Sequence, residues 1–159
     1  MKNRLLRTAL SLTAALLLIL TVLPRQAHAA GASLTGSDSV QAGNSVTLTL
    51  SVSSKIYGLT ADLNCGSNLT FTNYTCSVSG WSILVNQNHF SVYGTSSASG
   101  AVITVTLKVA SGVSADTALS ASFDNIVASD GEKDIDMGSA SWSGKAATLS
   151  DNCSLSAII

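Results

Sequence analysis

The residues that could carry out chemistry are few in this 159-residue chain. Beyond position 29 there is one histidine, His89, among many serines. A serine hydrolase needs a base beside its nucleophile, and the polar segment 86–90 around His89 favours an exposed loop residue instead. A glycoside hydrolase needs two carboxylates about 5–10 Å apart, and nothing in the sequence indicates that Asp62 and Asp124 meet. We therefore predict a protein that is not an enzyme.

The densest charge in the chain is a short acidic segment, which comprises Asp130, Glu132, Asp134 and Asp136. Calcium binds carboxylate oxygens of this kind. However, Gly131 directly follows the first acid, whereas an EF-hand loop has its glycine at the sixth position. We expect a solvated hairpin turn, no cofactor and no metal site, and weak Ca²⁺ binding by these four acids is the alternative hypothesis.

The cysteines predict one disulfide. Cys65 and Cys76 flank ten residues, and two such cysteines in an exported protein are plausible partners. Closing a loop of this length would stabilise the fold by about 3 kcal/mol in the chain-entropy model. The alternative is a pair of separate buried thiols. Cys153 has no evident partner, and three scattered cysteines with one histidine lack the spacing of a zinc site.

The aromatic residues are candidates for stacking on sugar rings. They are dispersed along the chain at Tyr57, Tyr74, Trp81, Tyr93 and Trp142. We take Tyr74, Trp81 and Tyr93 as the candidate ligand face. The alternative is that Trp81 and Trp142 belong to the hydrophobic core.

The first 29 residues differ in composition from the remainder. A basic start with Lys2, Arg4 and Arg7 precedes an apolar run over residues 9–23, which is shorter than the ~20 residues that a membrane-spanning helix needs. Residues 27–29 (AHA) are typical of a signal-peptidase site. We predict a Sec-type signal peptide over residues 1–29, export to the extracellular space or cell surface, and no membrane span after cleavage. A retained anchor is the alternative.

Charge also limits the class of partner. Four of the eight lysine and arginine residues lie in the predicted signal peptide. The rest of the chain has four lysines and nine acidic residues, and therefore a net charge of −5. Nucleic-acid binding usually needs a basic patch, so we expect no nucleic-acid partner.

Alternating apolar and hydroxyl residues predict β-strands in the rest of the chain. The clearest alternation covers residues 45–53, 101–109 and 119–126, and shorter candidates cover residues 32–34, 59–63, 69–74, 82–85, 90–93 and 136–142. Glycine-containing turns separate them. The pattern predicts an all-β fold, an antiparallel β-sandwich with jelly-roll topology of about nine strands. We place this domain at residues 30–145 and a linker with the possible start of a truncated domain at 146–159.

Four of these stretches resemble, in order, the cohesin-like modules of the carbohydrate-binding/cohesin superfamily. Residues 40–46 (VQAGNSV) resemble the opening strand pair, 58–64 (GLTADLN) the next strand, and 100–109 the long central strand, while 123–131 resemble the closing turn. The similarity covers roughly residues 32–145. It implies a jelly-roll β-sandwich of a bacterial secreted or surface protein.

The resemblance also implies a function. It points to a non-catalytic binding or scaffolding module with a dockerin-like protein partner or a polysaccharide, in the setting of polysaccharide binding or breakdown. The family continues its second strand with Tyr-Asp, in a region that contributes to the dockerin-binding face of cellulosomal cohesins, whereas this chain has Cys65 and Gly66. A direct carbohydrate-binding module, a structural spacer or adhesin stalk, and a fragment of an enzyme remain as alternatives.

Overall fold

A computed structural model describes residues 31–148, and these form an all-β fold of eight strands. The strands are β1 (Ala32–Thr35), β2 (Ser39–Gln41), β3 (Ser45–Cys65), β4 (Leu69–Cys76), β5 (Ser82–Asn86), β6 (His89–Val109), β7 (Ala118–Ser129) and β8 (Asp134–Ala147). The all-β prediction is confirmed. Within this range there is no helix long and apolar enough to cross a membrane.

The two longest strands, β3 and β6, each contribute to two layers. Residues 45–52 of β3 pair with residues 100–108 of β6, and residues 58–62 of β3 pair with residues 89–93 of β6. Register shifts between Leu50 and Gly58 separate the two ladders. Such irregularities bend a strand pair, so each strand passes from one layer into the other.

The layers follow from the pairing. The first layer contains β1, the first half of β3, the second half of β6, and β4. The second contains β5, the first half of β6, the second half of β3, then β7, β8 and β2. All of these pairs are antiparallel except β2 with β8. The predicted jelly-roll sandwich is therefore confirmed, with eight strands instead of about nine. Two pairs of predicted strands are continuous, and the alternation does not predict the short strand β2.

Apolar side chains at alternate positions fill the space between the layers. Phe90 lies at the centre, where its ring contacts Phe71 of the first layer at 5.6 Å and Phe123 of the second at 5.2 Å, both edge to face. Such pairs contribute about 0.5–1.5 kcal/mol beyond the burial of their area. Every buried side chain of the described residues is hydrophobic, so apolar packing holds the layers together.

Both tryptophans, Trp81 and Trp142, are buried in this core. This agrees with the alternative that they are core residues and not part of a ligand face. Trp81 donates a hydrogen bond from Nε1 to the carbonyl oxygen of Ser96 at 2.9 Å, and its indole ring lies against Gly94. The Nε1 atom of Trp142 is buried and has no acceptor among the described residues. The two indoles therefore differ in hydrogen bonding although both are buried.

The last strand continues slightly past the predicted end of the domain. β8 ends at Ala147, and the buried Ala146 donates a backbone hydrogen bond to Thr117 at 2.9 Å. The predicted signal peptide, Cys153 and nearly all of the predicted linker lie outside the described residues.

Candidate functional site

The outward side of the second layer, which we call the outer face, carries a regular grid of side chains. Alternate residues of neighbouring strands point the same way, so cross-strand partners form rows on it. From β6 through β3 to β7, three rows read His89–Asp62–Asp124, Ser91–Thr60–Val127 and Tyr93–Gly58–Ser129. Strand β5 extends the rows on one side and β8 on the other.

Exposed apolar side chains lie across the outer face around the polar Ser91 and Thr60, and we call these apolar side chains together the apolar strip. Of the five large hydrophobic side chains exposed among the described residues, Leu84 (60%), Tyr93 (50%) and Val127 (37%) lie on this face, and Tyr57 (40%) lies at its end over Gly131. Leu84 and Val127 occupy one row, three strand spacings or about 14 Å apart. Burial in the core does not explain these side chains.

The strip surrounds a shallow groove of about 270 Å³. Tyr93 and Val127 contribute its apolar surface, while Thr60, Ser91, Ser129 and Asp134 contribute polar groups. Its floor is Gly58, where an added Cβ would lie 2.6 Å from the Val92 carbonyl oxygen. Only glycine therefore permits β3 and β6 to approach this closely.

Two carboxylates lie next to the strip. Asp62 and Asp124 are directly opposite each other on β3 and β7, an arrangement that is unfavourable for like charges. Asp62 offsets this through two donors: Nδ1 of His89 lies 2.6 Å from Oδ1, and Nδ2 of Asn125 donates to Oδ2 at 2.9 Å. Hydrogen bonds from Asn125 and His89 hold the pKa of Asp62 below its usual value.

Asp124 has donors of its own. Its Oδ2 accepts hydrogen bonds from the side chains of Asn64 and of Ser122, the latter at 3.2 Å. Hydrogen bonds from Ser139 and Asn64 lower the pKa of Asp124 and outweigh the opposing charge of Asp62. Both carboxylates are therefore ionised at neutral pH.

A β-bulge in β7 builds part of this arrangement. The register shifts between Phe123 and Ile126, and Asn125 within the bulge has a φ of 50°. Asparagine tolerates this left-handed conformation better than most residues. The bulge allows the Asn125 amide to reach back across the strand pair to Asp62.

Nothing in the sequence indicates that Asp62 and Asp124 meet, and the structure places them directly opposite each other. Glycoside hydrolysis needs one carboxylic acid with a raised pKa to protonate the leaving group. Here both pKa values are lowered, and both side chains lie on an open sheet face. His89 is half-exposed, and its Nδ1 is engaged by Asp62. This geometry suits recognition of a ligand by fixed negative charges.

The predicted disulfide between Cys65 and Cys76 is not formed, since both are free thiols. Cys65 ends β3 opposite Ala121, whereas Cys76 ends β4 opposite Ile103. The length of β4 separates them by about 20 Å, and a disulfide needs Cα atoms within roughly 7 Å. Spacing along the chain suggested a closed loop, but the intervening residues form an extended strand.

The three residues of the candidate ligand face lie in different places. Trp81 is buried in the core. Tyr74 is on β4 of the first layer, where it stacks against Phe71 at 6.0 Å. Only Tyr93 is exposed on the outer face, so the structure does not bring the three together.

The acidic segment is divided between the β7–β8 hairpin turn, which contains Asp130 and Glu132, and the start of β8, which contains Asp134 and Asp136. Oδ1 of Asp130 accepts hydrogen bonds from the backbone N–H groups of Glu132 and Lys133, each at 2.9 Å, and these lower its pKa. Oδ1 of Asp136 accepts from the backbone of Gly138 at 2.8 Å. Across residues 31–148, no three histidine, cysteine or acidic side chains converge as metal ligands would. Weak Ca²⁺ binding by Asp130, Glu132, Asp134 and Asp136 stays a hypothesis.

Sequence reasoning missed the carboxylate pair and the apolar strip. Alternation predicts strands around Asp62 and Asp124, whereas the polar segment around His89 predicts a loop. All three residues lie on the polar side of alternating strands, and this shared position is the sequence signal that could have predicted their proximity. Using it requires the strand pairing, which alternation alone does not supply.

Comparison with solved structures agrees with the fold. A cohesin module from a Clostridium perfringens ATCC13124 family 33 glycoside hydrolase superposes with a TM-score of 0.65 at 11% identity, over 76% of this chain and 98% of that one. The sixth cohesin of Acetivibrio cellulolyticus scaffoldin B, solved with a Cel5 dockerin mutant, gives 0.57 at 10% identity, over 75% and 99%.

A third neighbour is the non-cellulosomal cohesin from the hyperthermophilic archaeon Archaeoglobus fulgidus, with a TM-score of 0.55 at 10% identity over 76% of this chain and 93% of that one. No family profile and no curated protein sequence matches this chain significantly. The chain therefore has a cohesin-like fold, and the predicted resemblance is confirmed at the level of structure.

Proposed function

We propose that this protein is a non-catalytic, exported binding module that holds a protein partner of the dockerin type on its outer face. The observation that carries the proposal is the concentration of exposed apolar side chains there, at Leu84, Tyr93 and Val127. Apolar groups clustered within a polar surround mark interaction sites on soluble proteins.

The outward side of the first layer differs from the outer face, and this difference supports the outer face as the binding site. The outward positions of the first layer carry hydroxyl side chains, with Thr47 opposite Thr106 and Thr49 opposite Thr104. Among the described residues, the one large hydrophobic side chain exposed on β4 is Tyr74, and it packs on Phe71 and Phe90 at the edge of the core. The two sides of the sandwich therefore differ in exposed apolar side chains, which favour protein binding.

The dimensions of the outer face fit a protein segment. Five strands from β5 to β8 span about 19 Å, and residues 58–66 extend about 26 Å along them. This is wide enough for at least one helix with its side chains, which is about 10–12 Å across. A second hollow of about 480 Å³, lined by Ser120, Ser122, Ser141 and Ser143, occupies the end of the face near Cys65 and Gly66.

Two of the structurally similar cohesins were solved with dockerins, and this supports the choice of partner class. The position where this chain departs from the family, Cys65 and Gly66, lies at the serine-lined end of the outer face. We infer from it a partner that differs from cellulosomal dockerins in the residues that reach this end. The setting in polysaccharide binding or breakdown, and export through residues 1–29, are parts of the same proposal.

The test compares two aspartate substitutions on edge strands. Leu84→Asp on β5 changes the outer face, and Thr70→Asp on β4 is the matched control because Thr70 is also exposed on an edge strand, in the first layer. The tagged full protein is used to capture partners from the secreted proteins of its source organism, and their affinity is measured by calorimetry. We expect Leu84→Asp to weaken binding at least tenfold and Thr70→Asp to leave it unchanged.

Equal affinities for both variants and the unsubstituted protein would refute the outer face as the binding site. A glycan array with the same protein separates the alternatives. Polysaccharide binding that is lost in Tyr93→Ala would favour a direct carbohydrate-binding module. Silence in both capture and array would favour the structural spacer.

A further inference from the structure

Charge is unevenly distributed over the outer face. The face carries four carboxylates, at Asp62, Asp124, Asp134 and Asp136. Of the four lysines in the described range, Lys108 lies in the first layer and Lys55 in the irregular segment of β3 between Val52 and Ile56. Lys145 stands on β8 at the far end from the apolar strip, and Lys133 belongs to the hairpin turn. The region around the strip is therefore strongly negative.

The negative charge is concentrated at one end of the strip. Val127 has Asp136 as its direct partner on β8, and Asp62 lies two residues along β3 from Thr60, its partner on the other side. Leu84, at the opposite end, is flanked by Ser91 and by residues of the edge strand β5. The strip therefore runs from a neutral apolar end at β5 to an apolar end bordered by carboxylates at β7 and β8.

Asp62 is held in position and retains capacity for a ligand. His89 and Asn125 each occupy one of its oxygens with a single hydrogen bond. An ionised carboxylate has about four acceptor positions, so two remain for a further donor. Guanidinium and ammonium groups are the donors that bind such carboxylates most strongly.

We infer that the partner presents an amphipathic segment lying across the strands, with apolar side chains over Leu84 and Tyr93 and with lysine or arginine side chains at the end that meets Val127. This inference rests on the proposed function, since it names the partner chemistry of the same face. The cationic groups contact Asp62 and Asp136, which border Val127 on its two sides. A second copy of this chain is disfavoured as the occupant, because two negative faces repel each other.

The experiment selects peptides against the full protein. A displayed library of amphipathic helical peptides keeps leucine at the apolar positions and randomises the flanking positions among Lys, Arg, Glu and Gln. We expect lysine and arginine to be enriched on one end of the apolar stripe. The Kd of a selected peptide should rise as NaCl is increased, because surface ion pairs are screened by salt.

Matched charge changes test which carboxylates are responsible. Asp62→Asn with Asp136→Asn removes two charges from the outer face. The amide at position 136 keeps an acceptor for the Gly138 N–H, and the amide at position 62 keeps one for either His89 or Asn125. Asp38→Asn with Asp116→Asn removes two charges from loops outside the face. We expect the first pair to weaken the selected cationic peptide about tenfold and the second pair to have no measurable effect.

The outcomes separate this inference from the proposed function. Selected peptides without cationic enrichment, but with binding that Leu84→Asp abolishes, would overturn the inference alone. Equal losses in the two double variants would also overturn it, since they would show a general charge effect. A library from which no binder emerges would count against both.

Discussion

The contact between Trp81 and Gly94 joins the start of β5 to β6 and is the basis of our most exacting prediction. Gly94 lies directly after the residues of β6 that pair with β5. A Cβ added at Gly94 would lie 2.7 Å from Cγ of Trp81 and still closer to its Cδ1 and Nε1. The substitution Gly94→Ala therefore forces the indole to move.

The magnitude follows from the geometry. Ordinary carbon contacts need about 3.4 Å or more, so the indole must retreat by roughly 1 Å, which overpacks the core at a cost of about 1–3 kcal/mol. The same movement breaks the 2.9 Å hydrogen bond from Trp81 to Ser96, worth about 1 kcal/mol. We expect Gly94→Ala to lower the free energy of unfolding by about 2–4 kcal/mol and Tm by roughly 10 °C.

Urea unfolding followed by circular dichroism measures this loss. The control is Gly112→Ala, because no atom lies within 4 Å of a Cβ at that position. It should leave stability unchanged or raise it by up to about 1 kcal/mol through the unfolded chain. Combining Gly94→Ala with Trp81→Phe should cost less than the sum of the two single changes, since the smaller ring leaves room. A Gly94→Ala protein as stable as Gly112→Ala would refute the reasoning.

Two further predictions concern hydrogen bonds. Trp81→Phe should be less stable than Trp142→Phe by about 1–3 kcal/mol in chemical denaturation, because only Trp81 has an acceptor for its Nε1 among the described residues; equal losses would contradict this. The second concerns acid unfolding, since backbone donors lower the pKa of Asp130 below the ordinary 3.8. Its stabilisation is full above that value and is lost as the pH falls through the lowered pKa. Asp130→Asn keeps an acceptor for the turn but does not titrate. Its free energy of unfolding, measured from pH 6 to pH 2, should therefore fall less steeply than that of the unsubstituted protein. The same pH dependence in both proteins would refute the role of this carboxyl.

Alternation predicted most of the strands because it reflects a local property, the burial of one side of a strand. Residues 45–53 and 101–109 alternate cleanly, and both are strands with their apolar residues in the core. The continuity of β6 from His89 to Val109 was not predictable, since the bend lies in a serine-rich segment without apolar alternation. The bend depends on pairing with β3, which is a tertiary property.

The candidate site was only partly predictable for the same reason. Tyr93 was chosen as an exposed aromatic and is one. Leu84 and Val127 gave no signal, because an apolar residue in a strand is expected to be buried. The disulfide prediction failed because proximity in sequence is a poor guide to distance when the residues between form an extended strand.

The passage of β3 and β6 through both layers has a consequence for how the protein opens. A break in their ladder removes hydrogen bonds from both layers, so neither layer is a separable unit and unfolding should be a single cooperative event. The separation in sequence grows from 27 residues at the Asp62–His89 pair to 63 at the Ser45–Lys108 pair, which favours slow folding dominated by non-local contacts. The outer face then opens only when the whole molecule does. A partner meets a surface that is already ordered, and little conformational entropy is lost on this side of the interface when it binds.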